Sequence, residues 1–142
     1  MTELTADIMI WPVALHLLAS LLCLVLPRWV NAIGITASAA SFAATGAVAW
    51  QVANAGAMTL NIGGWTPGLG IALRADGISC VLMLMCGAVS LAISIYARAY
   101  FATKHMRGRF WPLWLILLTA LNGLFLSGDV FNIYVTLELM GL

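Results

Sequence analysis

Charged residues are scarce in this sequence, and their scarcity excludes most soluble proteins. Only 8% of the 142 residues are charged and 63% are hydrophobic, whereas a soluble domain carries roughly 25% charged and about 45–50% apolar residues. The net charge of +1 offers no basic surface of the kind that binds nucleic acid. The composition therefore predicts an integral membrane protein with no nucleic-acid partner.

Motifs for catalysis and metal binding are also missing. Cys23, Cys80 and Cys86 lie in apolar stretches, with no CxxC pair and no paired histidine cluster, so we interpret them as small buried hydrophobic residues. The sequence contains no nucleophile–base set, phosphate loop or cluster of redox-centre ligands. We therefore predict no catalytic residue, no cofactor and no metal site, and we do not interpret the chain as an enzyme.

Long apolar runs are present instead. A helix that crosses the hydrocarbon core needs about 20 mostly apolar residues, and four segments qualify, at roughly residues 8–26, 30–53, 77–99 and 110–127. The fourth is expected to open with Pro112 in its first turn. A fifth run, 129–142, extends only about 21 Å as a helix and is expected to end inside the bilayer.

These segments predict an all-α fold, in which residues 1–142 form a single membrane domain. It is a polytopic helix bundle with four full transmembrane helices and a truncated fifth. Residues 59–62 and 71–74 alternate in polarity on either side of a segment rich in glycine and proline. This pattern predicts a short outer hairpin between helices two and three, at the membrane surface.

The second span is rich in small residues. Such residues let a neighbouring helix approach closely, and we favour helix–helix packing over simple exposure to lipid. The positions that support this interpretation are Gly34, Ser38, Ala39, Ser41 and Gly46.

The basic residues predict the orientation. Arg28 follows the first span, and four more basic residues lie between spans three and four, within residues 98–109. Cytoplasmic loops carry an excess of lysine and arginine. We therefore expect the loop 98–109 to be cytoplasmic, and the N-terminus and the hairpin to lie outside.

A carboxylate at membrane depth is the sharpest signal. Asp129 is expected to cap the fifth helix at the outer surface, and Glu138 then lies about 14 Å deeper, near the bilayer centre. A charge there costs at least a few kcal/mol. Glu138 either becomes protonated or is held ionised by a cation, and competition between these states takes up and releases a proton. We predict that Glu138 lies on a proton path; the alternative is a protonated glutamate that only packs.

Four other residues are candidate supporting groups. His16, in the middle of the first span, is a candidate proton carrier, although a neutral histidine bonded to a backbone carbonyl is the preferred interpretation. Tyr134 and Asn122 are candidates for binding water near Glu138, or for packing. Asp129 completes the set, but it lies about 180° from Glu138 around the helix, so the two do not form a paired acid site.

Two stretches resemble a known family. Residues 63–71 (GGWTPGLGI) with 74–79 (RADGIS) resemble the outer hairpin that leads into helix three of antiporter-like membrane subunits. Residues 122–138 (NGLFLSGDVFNIYVTLE) resemble the junction of helices four and five. The family comprises the proton-translocating subunits of respiratory complex I and of Mrp-type cation/proton antiporters, and the second stretch is most similar to the D-type component of the latter.

The resemblance extends over the whole chain and implies a role for Glu138. This residue occupies the position of the helix-five glutamate, which in the family lies on the proton path and pairs with a lysine on helix seven. Family members have about fourteen helices, with inverted repeats of five. The chain is expected to match only the first part of this fold. The expectation is a split subunit, whose later helices come from another chain, or a truncated product.

Three functions remain open at this point. The first is a part of a Na⁺ or K⁺/proton antiporter subunit, in a multi-subunit complex of the bacterial cytoplasmic membrane. The second is a proton-pumping subunit of a complex I-like NADH:quinone oxidoreductase or a membrane hydrogenase. The third is a structural fragment that does not transport. The expected partners are membrane lipid, the other subunits of such a complex, and the transported ions.

Overall fold

The computed structural model describes residues 7–62 and 70–141, which form five α-helices and two short strands. A 3-10 turn at Asp7–Ile10 leads into the first helix. The elements then follow in the order α1 (Trp11–Val25), α2 (Val30–Ala55), β1 (Met58–Ile62), β2 (Ile71–Ala75), α3 (Gly77–Tyr100), α4 (Lys104–Phe125) and α5 (Val130–Met140).

Four of these helices are long and apolar enough to cross a membrane. They are α1 together with its 3-10 turn, α2, α3 and α4, whereas α5 is shorter. The predicted all-α polytopic bundle is confirmed, and the chain is a multi-pass membrane protein.

The fourth helix begins earlier than the sequence predicts. It starts at Lys104 instead of near residue 110, because the Thr103 hydroxyl accepts a hydrogen bond from the Met106 backbone N–H at 3.3 Å and caps the helix. Pro112 therefore lies inside α4, where the expectation of a first-turn proline was wrong. Neighbouring helices make such an interior proline tolerable in a membrane. The Pro112 carbonyl accepts a bond from the Ser20 hydroxyl of α1 at 3.0 Å.

Helix α1 packs against α2 and α4, α3 packs against α2, and α5 packs against α4. The small residues of α2 make part of this packing. Gly34 lies against the fully buried Trp111 ring, which would overlap any added Cβ atom. Ser38 bonds Ser94 of α3 at 3.1 Å, and Ser41 donates to the Pro12 carbonyl of α1 at 3.0 Å.

The packing prediction for α2 does not extend to all five of its small residues. Ala39 is exposed, and Gly46 has open space where a Cβ atom would be. A stretch of small residues therefore indicates that a helix packs closely, without showing which of its faces does so.

Strands β1 and β2 pair antiparallel, with Met58 opposite Ala75 and Ile62 opposite Ile71. The connecting residues 63–69, including Trp65, lie outside the described residues, so the predicted surface turn stays a prediction. The α4–α5 junction pairs with the other edge of β2. The Arg74 N–H donates to the Leu126 carbonyl, and the Gly128 N–H donates to the Ala72 carbonyl, both at 2.7 Å. The strands are thereby attached to one end of the bundle, which we call the hairpin end.

Candidate functional site

Asp129 joins the hairpin end to α5. One carboxylate oxygen accepts the Asn132 backbone N–H at 2.7 Å and caps the helix, as the sequence predicted. The other oxygen accepts the Ala72 backbone N–H of β2 at 2.8 Å. These two bonds, that from Asn132 first, hold the pKa of Asp129 below its ordinary value. Each oxygen of the carboxylate thus accepts one backbone hydrogen bond at this junction.

Helix α5 turns one polar face toward the bundle. Asn132 and Thr136, one turn apart, are both buried, and Thr136 lies against Gly123 of α4. The Thr136 hydroxyl donates to the Asn132 carbonyl at 2.8 Å. A cavity of about 200 Å³ between α1, the strands, α4 and α5 reaches both side chains. This inner face is polar and uncharged.

Glu138 lies on the opposite face of α5. It follows Thr136 by two positions, which places it about 200° around the helix, and its side chain is exposed. Tyr134 precedes it by one turn, so the two side chains are neighbours. We define the outer face of α5 as Val130, Phe131, Tyr134, Leu137 and Glu138, which are five of the seven exposed residues of this helix.

The outer face is apolar apart from Glu138 and the Tyr134 hydroxyl. Within the described part of the chain, the one ion pair is exposed and joins Arg74 to Asp76 at 3.7 Å. No basic side chain there pairs with Glu138. The structure thus places the carboxylate on a face that would meet either lipid or further protein.

His16 and Asn122 lie together inside the bundle, apart from Glu138. His16 is 2% exposed, and its Nδ1 lies 3.0 Å from the Pro12 carbonyl oxygen, to which it donates. Its Nε2 is buried without a hydrogen-bond partner among the residues that the structure describes. The Asn122 amide donates to the Leu118 carbonyl at 2.9 Å and lies 3.4 Å from His16. The bond from His16 to a backbone carbonyl is the one that the preferred interpretation predicts, and the neutral state of the ring stays a prediction.

The five residues singled out from the sequence are therefore found in three places. Glu138 and Tyr134 share the outer face of α5, His16 and Asn122 share the interior, and Asp129 holds the hairpin end. Among residues 7–62 and 70–141 there is no group of three or more His, Cys, Asp or Glu side chains that could hold a metal ion. The bond between Asp129 and Ala72 escaped the sequence analysis, because it joins segments 57 positions apart and leaves no local pattern.

Known membrane proteins resemble this chain in sequence. No protein-family model matches the chain. The chain is 30% identical over 137 residues to the D-type component of the Na(+)/H(+) antiporter of Bacillus subtilis (strain 168), and the match covers 94% of this chain and 28% of that protein. A shorter match, 35% identical over 83 residues, is to the N-type component of the NADH-quinone oxidoreductase of Desulforudis audaxviator, with 57% of this chain and 17% of that protein covered.

A solved structure shows the same helix arrangement. A chain of the Mrp complex from Dietzia sp. DQ12-45-1b superposes with a TM-score of 0.86 at 24% identity, covering 99% of this chain and 26% of that one. Over nearly its whole length the chain is therefore similar to the antiporter-like subunits. Like its relatives, this antiporter-like chain is a polytopic membrane protein. It spans less than a third of the length of each of these three relatives.

Proposed function

We propose that this chain is part of a monovalent cation/proton antiporter subunit, and that Glu138 exchanges protons within the membrane. One observation carries the proposal: Glu138 is a carboxylate on the exposed, otherwise apolar outer face of α5, where an uncompensated charge is costly. The relatives support the class of activity, since one of them is named as a component of a Na(+)/H(+) antiporter. Separate Na⁺ and K⁺ gradients in the transport assay identify the exchanged cation.

In this proposal, further protein packs on the outer face of α5 and brings a cationic side chain close to Glu138. Further helices of the assembly, on the same or on another polypeptide, would pack on this face. The family resemblance implies that one of them carries a lysine. While the lysine is close, Glu138 stays ionised; when the lysine moves away, Glu138 takes up a proton. Tyr134, one turn away, can donate a hydrogen bond to a water molecule beside the carboxylate.

The arrangement of charge supports an orientation for this path. Arg28, Arg98, Lys104 and Arg107 lie at the end of the bundle opposite the strands, which we call the basic end. By the positive-inside tendency this end faces the cytoplasm. Asp129 and the strands would then lie on the outer side of a bacterial cytoplasmic membrane, and Glu138 would lie between the two surfaces.

The test is the substitution Glu138→Gln in the assembly isolated from its native membrane and reconstituted into vesicles. An added Na⁺ or K⁺ gradient should collapse an imposed pH gradient with the wild type and fail to do so with the variant. Leu137→Gln, on the same face, introduces the same amide without removing the carboxylate and should retain exchange. Exchange that persists in Glu138→Gln would exclude the proposed role.

A second candidate is a proton-pumping subunit of a complex I-like oxidoreductase or a membrane hydrogenase. The match to a component of an NADH-quinone oxidoreductase supports it. Both candidates use the same glutamate, so the proteins that co-purify with the tagged chain distinguish them. Small antiporter subunits favour the first candidate, and flavin and iron–sulfur subunits favour the second. A purely structural role predicts that Glu138→Gln changes neither activity.

A further inference from the structure

Two cavities open at the basic end of the bundle and share part of their lining. The larger, about 400 Å³, is lined by Pro27, Arg28, Val30, Asn31, Lys104 and Arg107. The smaller, about 260 Å³, is lined by Arg28, Trp29, Asn31, Ala32, Ile35 and Arg98. Since Arg28 and Asn31 line both, the cavities adjoin. Four cations and no acidic residue line the pair.

Membrane orientation alone does not require this convergence. The positive-inside tendency asks only that basic residues lie on one side of the membrane. Here they come from the α1–α2 turn, the last turn of α3 and the first turn of α4, and they line a common space. Arg109, on the same helix as Arg107, is exposed and lines neither cavity. Like charges brought together in this way repel one another unless an anion lies between them.

Hydrogen-bond donors at this site are held in place by the surrounding structure. The Asn31 Oδ1 atom accepts the indole N–H of buried Trp111 at 2.7 Å, which fixes the amide and leaves its NH₂ group available to the cavities. The Arg107 Nε–H donates to the Phe101 carbonyl at 2.6 Å, which leaves the terminal guanidinium nitrogens free. Lys104 begins α4, where the helix dipole also favours an anion.

The lining also has an apolar side. Ala32 and Ile35 lie one turn apart on α2, next to Trp29, whose side chain is 63% exposed. Tryptophan is enriched at the level of lipid headgroups. A soluble phosphate would leave this apolar strip unused, whereas an acyl chain would lie along it. The site therefore fits an amphiphile with an anionic head.

We propose that the basic end binds one anionic glycerophospholipid that carries two phosphodiester groups, with one phosphate in each cavity and Arg28 between them. Two phosphates match four cations arranged in two adjoining spaces. Basic pockets between transmembrane helices are suited to such headgroups. The lipid would hold the α1–α2 turn against the first turn of α4.

The probe is cardiolipin, added to the purified full chain in a neutral detergent, with bound lipid counted by native mass spectrometry. We expect one tightly bound cardiolipin, and weaker binding of phosphatidylglycerol, which has a single phosphate. Arg28→Gln and Lys104→Gln should each weaken cardiolipin binding about five- to tenfold. The matched control, Arg109→Gln, should leave it unchanged. Circular dichroism verifies that each variant keeps its helices; if Arg28→Gln does not fold, Lys104→Gln carries the comparison.

Several outcomes would overturn the proposal. Equal weakening by all three substitutions would show unspecific attraction to the basic end. Displacement of cardiolipin by millimolar inorganic phosphate would show a site for a free anion. Equal affinity for phosphatidylglycerol would remove the argument for two phosphates. In the native assembly, a polypeptide cross-linked to position 28 with no retained phospholipid would assign the cavities to a protein partner.

Discussion

The two faces of α5 differ in which polar side chains they carry and in how exposed those side chains are. On the inner face, Asn132 and Thr136 are buried and uncharged, and the threonine hydroxyl is bonded within the helix at 2.8 Å. On the outer face, the carboxyl group of Glu138 lies among exposed apolar side chains. No basic side chain among the described residues pairs with Glu138, so the proposed function requires a cationic partner from further helices of the assembly. Substitutions inside should affect folding, whereas substitution of Glu138 on the outer face should affect transport.

The largest effect on stability is expected where the interior is tightest. In Gly34→Ala, the new methyl group overlaps the Trp111 ring, so we expect a loss of about 1–3 kcal/mol in the free energy of unfolding. The matched control is Gly46→Ala on the same helix, where nothing lies near the added Cβ. That control should gain up to about 1 kcal/mol from helix propensity. Titration with a denaturing detergent, followed by circular dichroism, measures both. Equal effects at the two positions would contradict the packing described here.

A smaller effect is expected at the hairpin end. Asp129→Ala removes the helix cap and the bond to Ala72 and should cost about 1–2 kcal/mol. Because folding lowers the pKa of Asp129, its contribution is complete above the ordinary aspartate pKa of about 3.9. It is lost as the pH falls through the lowered value. Asp129→Asn, which keeps one accepting oxygen, should be intermediate and should lose this pH dependence.

This experiment also tests whether Asp129 has a part in transport. If an Asp129 variant keeps its stability but no longer exchanges ions, Asp129 lies on the proton path and its role is not structural alone. Unchanged stability in Asp129→Ala would show that the two bonds contribute nothing measurable.

The smallest effect is expected at His16. In His16→Phe, the Pro12 carbonyl keeps its bond from the Ser41 hydroxyl at 3.0 Å, so no acceptor is left unpaired. We expect a change in stability of less than about 1 kcal/mol and full exchange activity in vesicles. If the variant folds normally but exchange is lost, His16 carries protons and the contrast between interior and outer face breaks down.

The helix content could be predicted because it depends on long apolar runs, and the α5 cap because aspartate before such a run satisfies free backbone N–H groups. The start of α4 could not be predicted from the sequence. Lys104 and its basic neighbours are typical of a loop, yet one bond from Met106 to Thr103 begins the helix there. Pro112 was expected in the first turn of α4 because the sequence placed the start of that helix near residue 110. Packing against neighbouring helices allows this proline in the helix interior.

The candidate site was predictable in part. Charge in an apolar run singled out Glu138, but α5 is apolar on most of its surface, so its sequence does not show which face packs. Contacts with Gly123 place Thr136 inward and thereby Glu138 outward. The interior pair of His16 and Asn122 depends on a contact between segments 106 positions apart. The placement of His16 and Asn122 away from Glu138 is therefore visible only in the folded structure.

The proposed function requires that the Glu138 side chain takes up and releases a proton within the membrane. Infrared difference spectroscopy of the reconstituted assembly, recorded as the pH is stepped, measures this directly. We expect a protonated-carboxyl band that rises and falls reversibly with pH in the wild type and is absent in Glu138→Gln. A spectrum in which the same band persists in the Gln variant, or never changes with pH in the wild type, would contradict it.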